Sequence, residues 1–140
     1  MHDFKNGLYP TVIMKYIWII LGVFGASAIA LAAIGAHAYA APEGFDRGAF
    51  EIAIRYHLAH VVAGAVALVL ARGGDRIALA TAWIFLIAIM LFSGSIYLKQ
   101  LAAVHIPTAP LGGVGFMVGW LLLGFSGWRS AYSGRKDKAD

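Results

Sequence analysis

Three histidines are the side chains of this sequence with the most versatile chemistry. An imidazole can bind a metal, ligate haem or transfer a proton. His37, His57 and His60 lie near one end of the hydrophobic segments described below, as do several hydroxyl groups and an arginine. Because polar groups are costly in lipid, such a cluster at bilayer depth is expected to face the protein interior. The candidate polar cluster or ligand-binding site comprises His37, Arg55, Tyr56, His57, His60, Ser93, Ser95, Tyr97 and Thr108.

Several kinds of chemistry at this cluster have weak support. The nearby acids are Glu43, Asp46 and Glu51, in or beside one loop, so we predict no metal site. No acid–base relay accompanies the serines, and we predict no catalytic residue. We predict no cofactor either, although haem or a quinone would suit the cluster. The simplest expectation is that each histidine donates to a backbone carbonyl and ties helix ends together.

The elements that must position these residues are hydrophobic helices. The chain has 140 residues, of which 61% are hydrophobic and only 13% are charged, whereas soluble domains carry about 25% charged residues. A helix needs about 20 apolar residues to cross a hydrocarbon core roughly 30 Å thick. The sequence therefore predicts an all-α integral membrane protein, a bundle of four transmembrane helices. We place the spans at 16–36, 50–71, 77–98 and 111–128.

The positions of lysine and arginine predict the orientation. The segment 1–15, the loop after the second span and the tail 129–140 carry eight of these residues, and the opposite side carries three. The positive-inside rule then places both termini in the cytoplasm and the polar cluster at the outer end. The chain has a net charge of +4, and its basic residues lie at loop edges and in the tail. This placement suits binding to lipid head groups better than binding to nucleic acid. Ala38-Tyr39-Ala40 has the form of a signal-peptide cleavage site, but we expect no cleavage because the preceding apolar run is too long.

Small residues at helical spacing mark expected packing faces. In the first span the row of small residues includes Ala30 and Ala33 and ends at His37. In the second span the row begins at His57 and His60. We therefore expect these histidines to point into the bundle. Such faces let membrane helices approach closely. We expect the GxxxG of the fourth span to pack within the chain, the alternative being a dimer face. The predicted packing residues are Gly22, Ala26, Gly64, Gly94, Gly112, Gly113, Gly115, Gly119 and Trp120.

Five short motifs resemble a known family. They are, in chain order, Gly35-Ala36-His37-Ala38, Tyr56-His57-Leu58-Ala59-His60, Phe92-Ser93-Gly94-Ser95-Ile96-Tyr97, Pro107-Thr108-Ala109-Pro110-Leu111-Gly112-Gly113 and Gly119-Trp120. This order resembles the YgdD-like family of small four-helix inner-membrane proteins, a family of unknown function. The family more often has Gln where His57 stands, and its Thr-Pro-Leu-Gly-Gly is interrupted here by Ala109. The resemblance implies a four-span bundle in a bacterial inner membrane and no established activity.

The absence of clear chemistry and the many packing faces favour a non-catalytic role. We expect a small accessory or scaffold subunit in the lipid bilayer, either a homo-oligomer or part of a larger inner-membrane protein complex. One alternative is a module that binds a lipid, quinone or haem at the polar cluster. A second alternative is a membrane enzyme that uses His60 as a base.

Overall fold

Four long helices make up the computed structural model, which describes residues 5–37 and 43–136, with side chains over 12–37 and 43–132. The third helix is α-helical over Arg76–Ile89, π-helical over Met90–Gly94 and α-helical again over Ser95–Ala102. The helices are α1 (Lys5–His37), α2 (Arg47–Ala71), α3 (Arg76–Ala102) and α4 (Ala109–Lys136). Residues 1–4 of the predicted amino-terminal arm, Ala38-Tyr39-Ala40 and residues 137–140 of the tail lie outside the described residues.

Each helix has a stretch that is long and apolar enough to cross a membrane. These stretches are Val12–His37, Arg47–Ala71, Arg76–Ala102 and Ala109–Tyr132. Each contains one of the predicted spans, and no strand occurs within the described ranges. The prediction of an all-α bundle with four membrane-spanning helices is therefore confirmed. The predicted arm is helical from Lys5 and runs without a break into the first span.

Local signals set the helix ends. The Asp46 carboxylate accepts a hydrogen bond from Ala49 N (3.0 Å) and caps α2, and Asp75 caps α3 in the same way through Ile77 N (2.9 Å). Such caps satisfy backbone donors that have no partner in the first turn. Ala103 has φ 56°, in the left-handed region, and ends α3. These residues fix where α2 begins and where α3 begins and ends, and so how the helices stack.

The helices α2 and α3 form the centre of the bundle. In this arrangement α1 packs mainly on α2, and α4 packs mainly on α3. The larger hydrophobic core includes the fully buried side chains of Ile17, Leu68 and Phe85. A smaller core at the end with the polar cluster contains Phe50 and Tyr97. The polar residues of that end are thus set between packed helices.

The glycines of the GxxxG in α4 face α3 of the same chain. A Cβ on Gly112 would lie 2.5 Å from Phe92 N, and one on Gly119 would lie 2.5 Å from the Phe85 ring. Gly115 also faces α3, where its Cβ would be 3.0 Å from the Cβ of Ala88. Contacts this short are possible only without side chains, so these glycines bring α4 against α3.

Other predicted packing residues make fewer contacts. Gly64 lies against Leu21 and is a contact of α2 with α1. A Cβ on Gly113 would meet nothing within 4 Å, and one on Gly94 would meet only the carbonyl of Ile89 at 4.0 Å. Trp120 remains 52% exposed and lies at the edge of the bundle.

The small-residue stripe of α1 faces outward, which corrects the predicted orientation. Gly22 and Ala26 are both exposed, and a Cβ on Gly22 would meet nothing within 4 Å. The buried line of this helix runs instead through Ile17, Leu21 and Ala28. The prediction that Gly22 and Ala26 pack inside the bundle is therefore wrong. Their packing against another chain stays a prediction.

Candidate functional site

The predicted polar cluster is divided between two grooves on either side of α2. His57 lines a groove of about 170 Å³ between α1 and α3, together with Phe24 and Tyr97. His60 lines a wider groove of about 800 Å³ beside α4. Both histidines are buried, as predicted, with 4% and 5% of their surface exposed. The two rings nevertheless face different neighbours, so they do not form one site.

The hydrogen bonds of His60 define its tautomer. Its Nδ1 lies 2.7 Å from the carbonyl oxygen of Tyr56, which can only accept, so Nδ1 carries a hydrogen. The indole Nε1 of Trp120 donates to His60 Nε2 at 3.1 Å, so Nε2 carries none. The neutral imidazole thus has both nitrogens engaged. Trp120 would have to release Nε2 before this ring could ligate haem iron or accept a proton.

Aromatic rings fill the surroundings of His60. Phe116 stacks on the imidazole with ring centroids 3.6 Å apart, and Phe85 lies 5.5 Å away. The Tyr56 ring lies 5.7 Å from the imidazole, contacts Phe116 at 5.8 Å and also contacts Phe92. These contacts make His60 the centre of an aromatic cluster that holds α2, α3 and α4 together.

His57 has an incomplete set of partners. Its Nδ1 lies 3.3 Å from the hydroxyl of Tyr97, and the edge of its ring meets Phe24, with centroids 5.6 Å apart. Its Nε2 is buried and has no hydrogen-bond partner. A buried polar atom without a partner costs free energy, so this nitrogen is the chemically unusual atom of the cluster.

The hydroxyl groups of the cluster connect helices near the π-helical turn. Ser93 Oγ donates to the Ala53 carbonyl (2.8 Å) and joins α3 to α2. The Thr108 hydroxyl donates to the Leu91 carbonyl at 2.9 Å. Ser95 Oγ donates back to the carbonyl of its own helix at Phe92, at 2.8 Å. A π-helical turn disturbs the usual i→i−4 bonding, and the hydroxyls of Thr108 and Ser95 bond its carbonyls from the side.

Three members of the predicted cluster are exposed, and two of them, His37 and Arg55, lie outside both grooves. His37 is the last residue of α1 and is exposed, so the prediction that it points into the bundle is wrong. Arg55 forms an exposed ion pair with Glu51, with 3.4 Å between Nη2 and Oε2, as the four-residue spacing indicates. Neither residue contributes a buried group to either groove.

Two polar residues that the sequence analysis did not select also organise this end. Gln100 is 5% exposed, and its Oε1 accepts a hydrogen bond from Asp46 N at 2.7 Å. Arg47 donates from Nη1 to the Gly35 carbonyl at 2.9 Å. A polar amide at the end of an apolar run was the only signal for Gln100. Over residues 5–37 and 43–136, no three His, Cys, Asp or Glu residues are grouped to hold a metal ion.

Comparison with known proteins identifies relatives of this chain. The family described as "Protein of unknown function (DUF423)" matches residues 31–113. The UPF0382 membrane protein YwdK of Bacillus subtilis is 32% identical over 114 residues, covering 76% of this chain and 92% of the relative. The UPF0382 membrane protein SSP2132 of Staphylococcus saprophyticus is 34% identical over 118 residues, with the same coverage. No solved structure matches. The chain therefore belongs to the DUF423 family and is a membrane protein with four membrane-spanning helices.

Proposed function

We propose that this protein is a non-catalytic accessory or scaffold protein of the bacterial inner membrane. It packs against a second copy or a larger membrane complex through the outward face of α1, which consists of Gly22, Ala26, Ala30 and Ala33. Both termini lie in the cytoplasm, because eight of the eleven Lys and Arg residues fall on their side. The motifs around His57 and Ser93 favour YgdD-like membership within the family.

The observation that carries this proposal is the exposure of small residues on α1. All four residues of the outward face are exposed, and they repeat at helical spacing. Corresponding residues on α4, such as Gly112 and Gly119, are covered by α3 in this chain. Small residues let helix backbones approach each other closely, and they offer lipid chains little surface for van der Waals contact. The outward face of α1 therefore suits another membrane helix.

The outer surface of α4 provides a contrast. It presents large side chains, including Leu121 (76% exposed), Trp128 (64%) and Met117 (61%). Long apolar and aromatic side chains suit lipid and the head-group boundary. α1 exposes large apolar side chains as well, such as Ile29 (65%) and Val23 (61%). Its row of four small residues lies beside them, and this row supports a contact with another membrane helix.

The contacts of His60 also favour a non-catalytic role. Both of its ring nitrogens are engaged, one by a carbonyl and one by the Trp120 indole. Ser93 donates to a backbone carbonyl and has no base beside it. These groups hold helices together in the arrangement described, which supports a structural assignment for them.

Cysteine crosslinking in membranes tests the proposal. The chain has no cysteine, so Ala26→Cys introduces a single thiol on the outward face of α1. Leu121→Cys is the matched control, because its side chain is exposed on α4 at 76%. If copies pair through α1, mild oxidation should give a disulfide-linked dimer for the first variant and little for the second.

Native mass spectrometry in mild detergent separates the two kinds of partner. A complex with another protein that is lost in Gly22→Leu, without a crosslinked dimer, would assign the face to a larger assembly. The substitution should spare the fold because a Cβ on Gly22 meets nothing within 4 Å. A monomer in both the parent and the variant, with equal crosslinking at positions 26 and 121, would refute the proposal.

A further inference from the structure

The groove beside His57 combines a buried polar atom with an apolar lining. Its Nε2 has no partner, and the ring is 4% exposed. The walls come from three helices, with Phe24 and Leu31 on α1 and Ile89 and Met90 on α3. A histidine in such surroundings would be replaced by an apolar residue at little cost if it only filled space. Its unpaired nitrogen therefore points to a bound group.

Either neutral tautomer of His57 leaves Nε2 able to form one more hydrogen bond. If the Tyr97 hydroxyl donates to Nδ1, then Nε2 carries a hydrogen and needs an acceptor. If Nδ1 donates to that hydroxyl, then Nε2 has a free lone pair and needs a donor. A ligand carbonyl satisfies the first arrangement and a ligand hydroxyl satisfies the second.

The size of the groove limits what can bind. Its volume is about 170 Å³, and an apolar protein cavity of roughly 150 Å³ accommodates benzene. The groove lies between α1 and α3, two membrane-spanning helices that make few contacts with each other. A single six-membered ring fits, and a tail attached to it would extend into lipid. A phospholipid head group with its glycerol is larger than this space.

We propose that the groove between α1 and α3 binds the oxygen-bearing ring of a lipid-soluble quinone, with His57 Nε2 hydrogen-bonded to a ring oxygen. The quinone and its reduced quinol form provide the carbonyl and the hydroxyl that the two tautomers require. Side chains of the groove cover the nitrogen, so they must move for the ring to reach it. Met90 is the natural candidate, because it is unbranched, 64% exposed and part of the lining.

Binding of a short quinone tests the proposal independently of any partner of α1. The full-length protein in detergent is incubated with 2-decyl-1,4-benzoquinone or with decylbenzene, which lacks the oxygens. Bound probe per chain is measured by chromatography after gel filtration. One hydrogen bond is worth about tenfold in affinity, so the quinone should bind about tenfold tighter than decylbenzene. In His57→Phe, which keeps a ring of similar size, this preference should disappear.

A matched pair of glycine variants keeps the test decisive if His57→Phe does not fold. Gly94 lines the proposed site and Gly113 lines the groove beside His60, and neither has a neighbour closer than 4.0 Å to its Cβ position. Gly94→Leu should abolish quinone binding, and Gly113→Leu should leave it unchanged.

Four results would overturn the proposal. The first is equal binding of the quinone and decylbenzene by the parent protein. The second is an unchanged quinone preference in a folded His57→Phe variant. The third is loss of binding in Gly113→Leu but not in Gly94→Leu, which would assign the quinone to the other groove. A phospholipid retained in the His57 groove in place of the probe would have the same meaning.

Discussion

Alanine substitutions at two adjacent glycines should have opposite effects on stability. Gly112 faces α3, where a Cβ would lie 2.5 Å from Phe92 N and 2.8 Å from the carbonyl oxygen of Ala88. Gly113 is the next residue, and a Cβ there would meet nothing within 4 Å. Both substitutions make the same chemical change in the first turns of α4. Their difference therefore measures the contact of α4 with α3.

The magnitude follows from the atoms that would clash. Carbon contacts are optimal at about 3.5–4.0 Å, so Gly112→Ala requires α4 to move by about 1 Å. The opposing atoms belong to the backbone of α3 and cannot rotate away, and overpacking of this kind costs about 1–3 kcal/mol. Gly113→Ala instead gains up to about 1 kcal/mol of helix propensity. Gly112→Ala gains the same propensity, so it cancels between the two variants, and we expect them to differ by about 1–3 kcal/mol in the free energy of unfolding.

Reversible unfolding in mixed detergent and SDS micelles measures this difference. The folded fraction can be followed by tryptophan fluorescence, because Trp120 lies on the same helix and contacts Phe85 of α3. Gly112→Ala should unfold at lower SDS than the parent, and Gly113→Ala at equal or higher SDS. Free energies of unfolding within about 0.5 kcal/mol of each other, the usual additivity error, would refute the close approach of α4 to α3 at Gly112.

The same assay checks three further contacts. Trp120→Phe removes the donor to His60 Nε2 and, with unfolding followed through the remaining Trp83 of α3, should lower stability by about 1 kcal/mol; no loss would contradict the assigned tautomer. Ser126 has a buried hydroxyl without a partner, so Ser126→Ala should raise stability by about 1 kcal/mol, and a loss would reveal a missing partner. Ser93→Ala removes the bond to the Ala53 carbonyl and should cost about 0.6 kcal/mol, typical of such bonds in membranes; a gain would refute that bond.

The four helices could be predicted because the membrane imposes a simple rule on length and charge. Backbone groups in lipid must bond within the segment, so a long uncharged run is a helix. The predicted span 77–98 falls within α3, and the helix extends only as far as its cap at Asp75 and the left-handed Ala103 allow. Small residues at helical spacing likewise indicate a face of close approach, and Gly115 and Gly119 of α4 both lie against α3.

The arrangement of the two buried histidines could not be predicted from their spacing. Residues three apart differ by about 60° around a helix axis, since each turn has 3.6 residues. That angle is small on a helical wheel, yet it separates a ring packed beside Tyr97 from a ring packed beside Trp120. Which groove each ring enters depends on where α1 and α4 lie around α2. The spacing therefore predicted burial and not a shared site.

The π-helical turn at Met90–Gly94 depends on contacts distant in sequence. Thr108 donates to Leu91 from 17 residues away, and Ser93 reaches Ala53 from 40 residues away. Ser93-Gly94 marks a place where a helix can deviate. Whether the deviation is a kink, a break or a π turn depends on the polar groups around it, and these include Thr108 before α4 and the Ala53 carbonyl of α2.

The reversed face of α1 shows what orients a membrane helix. In water, the apolar face of a helix must turn towards the protein core. Lipid is as apolar as the protein interior, so a row of small residues on a membrane helix does not show whether that face points inward or outward. On α2 the stripe includes His57 and His60, whose polar nitrogens force that face away from lipid. On α1 the polar residue is His37, at the helix end, where head groups and water can accept an imidazole. His37 therefore does not turn this face of α1 away from lipid. The helix buries Ile17 and Leu21, while Gly22 and Ala26 remain exposed. A polar side chain orients a membrane helix only when it lies at hydrocarbon depth.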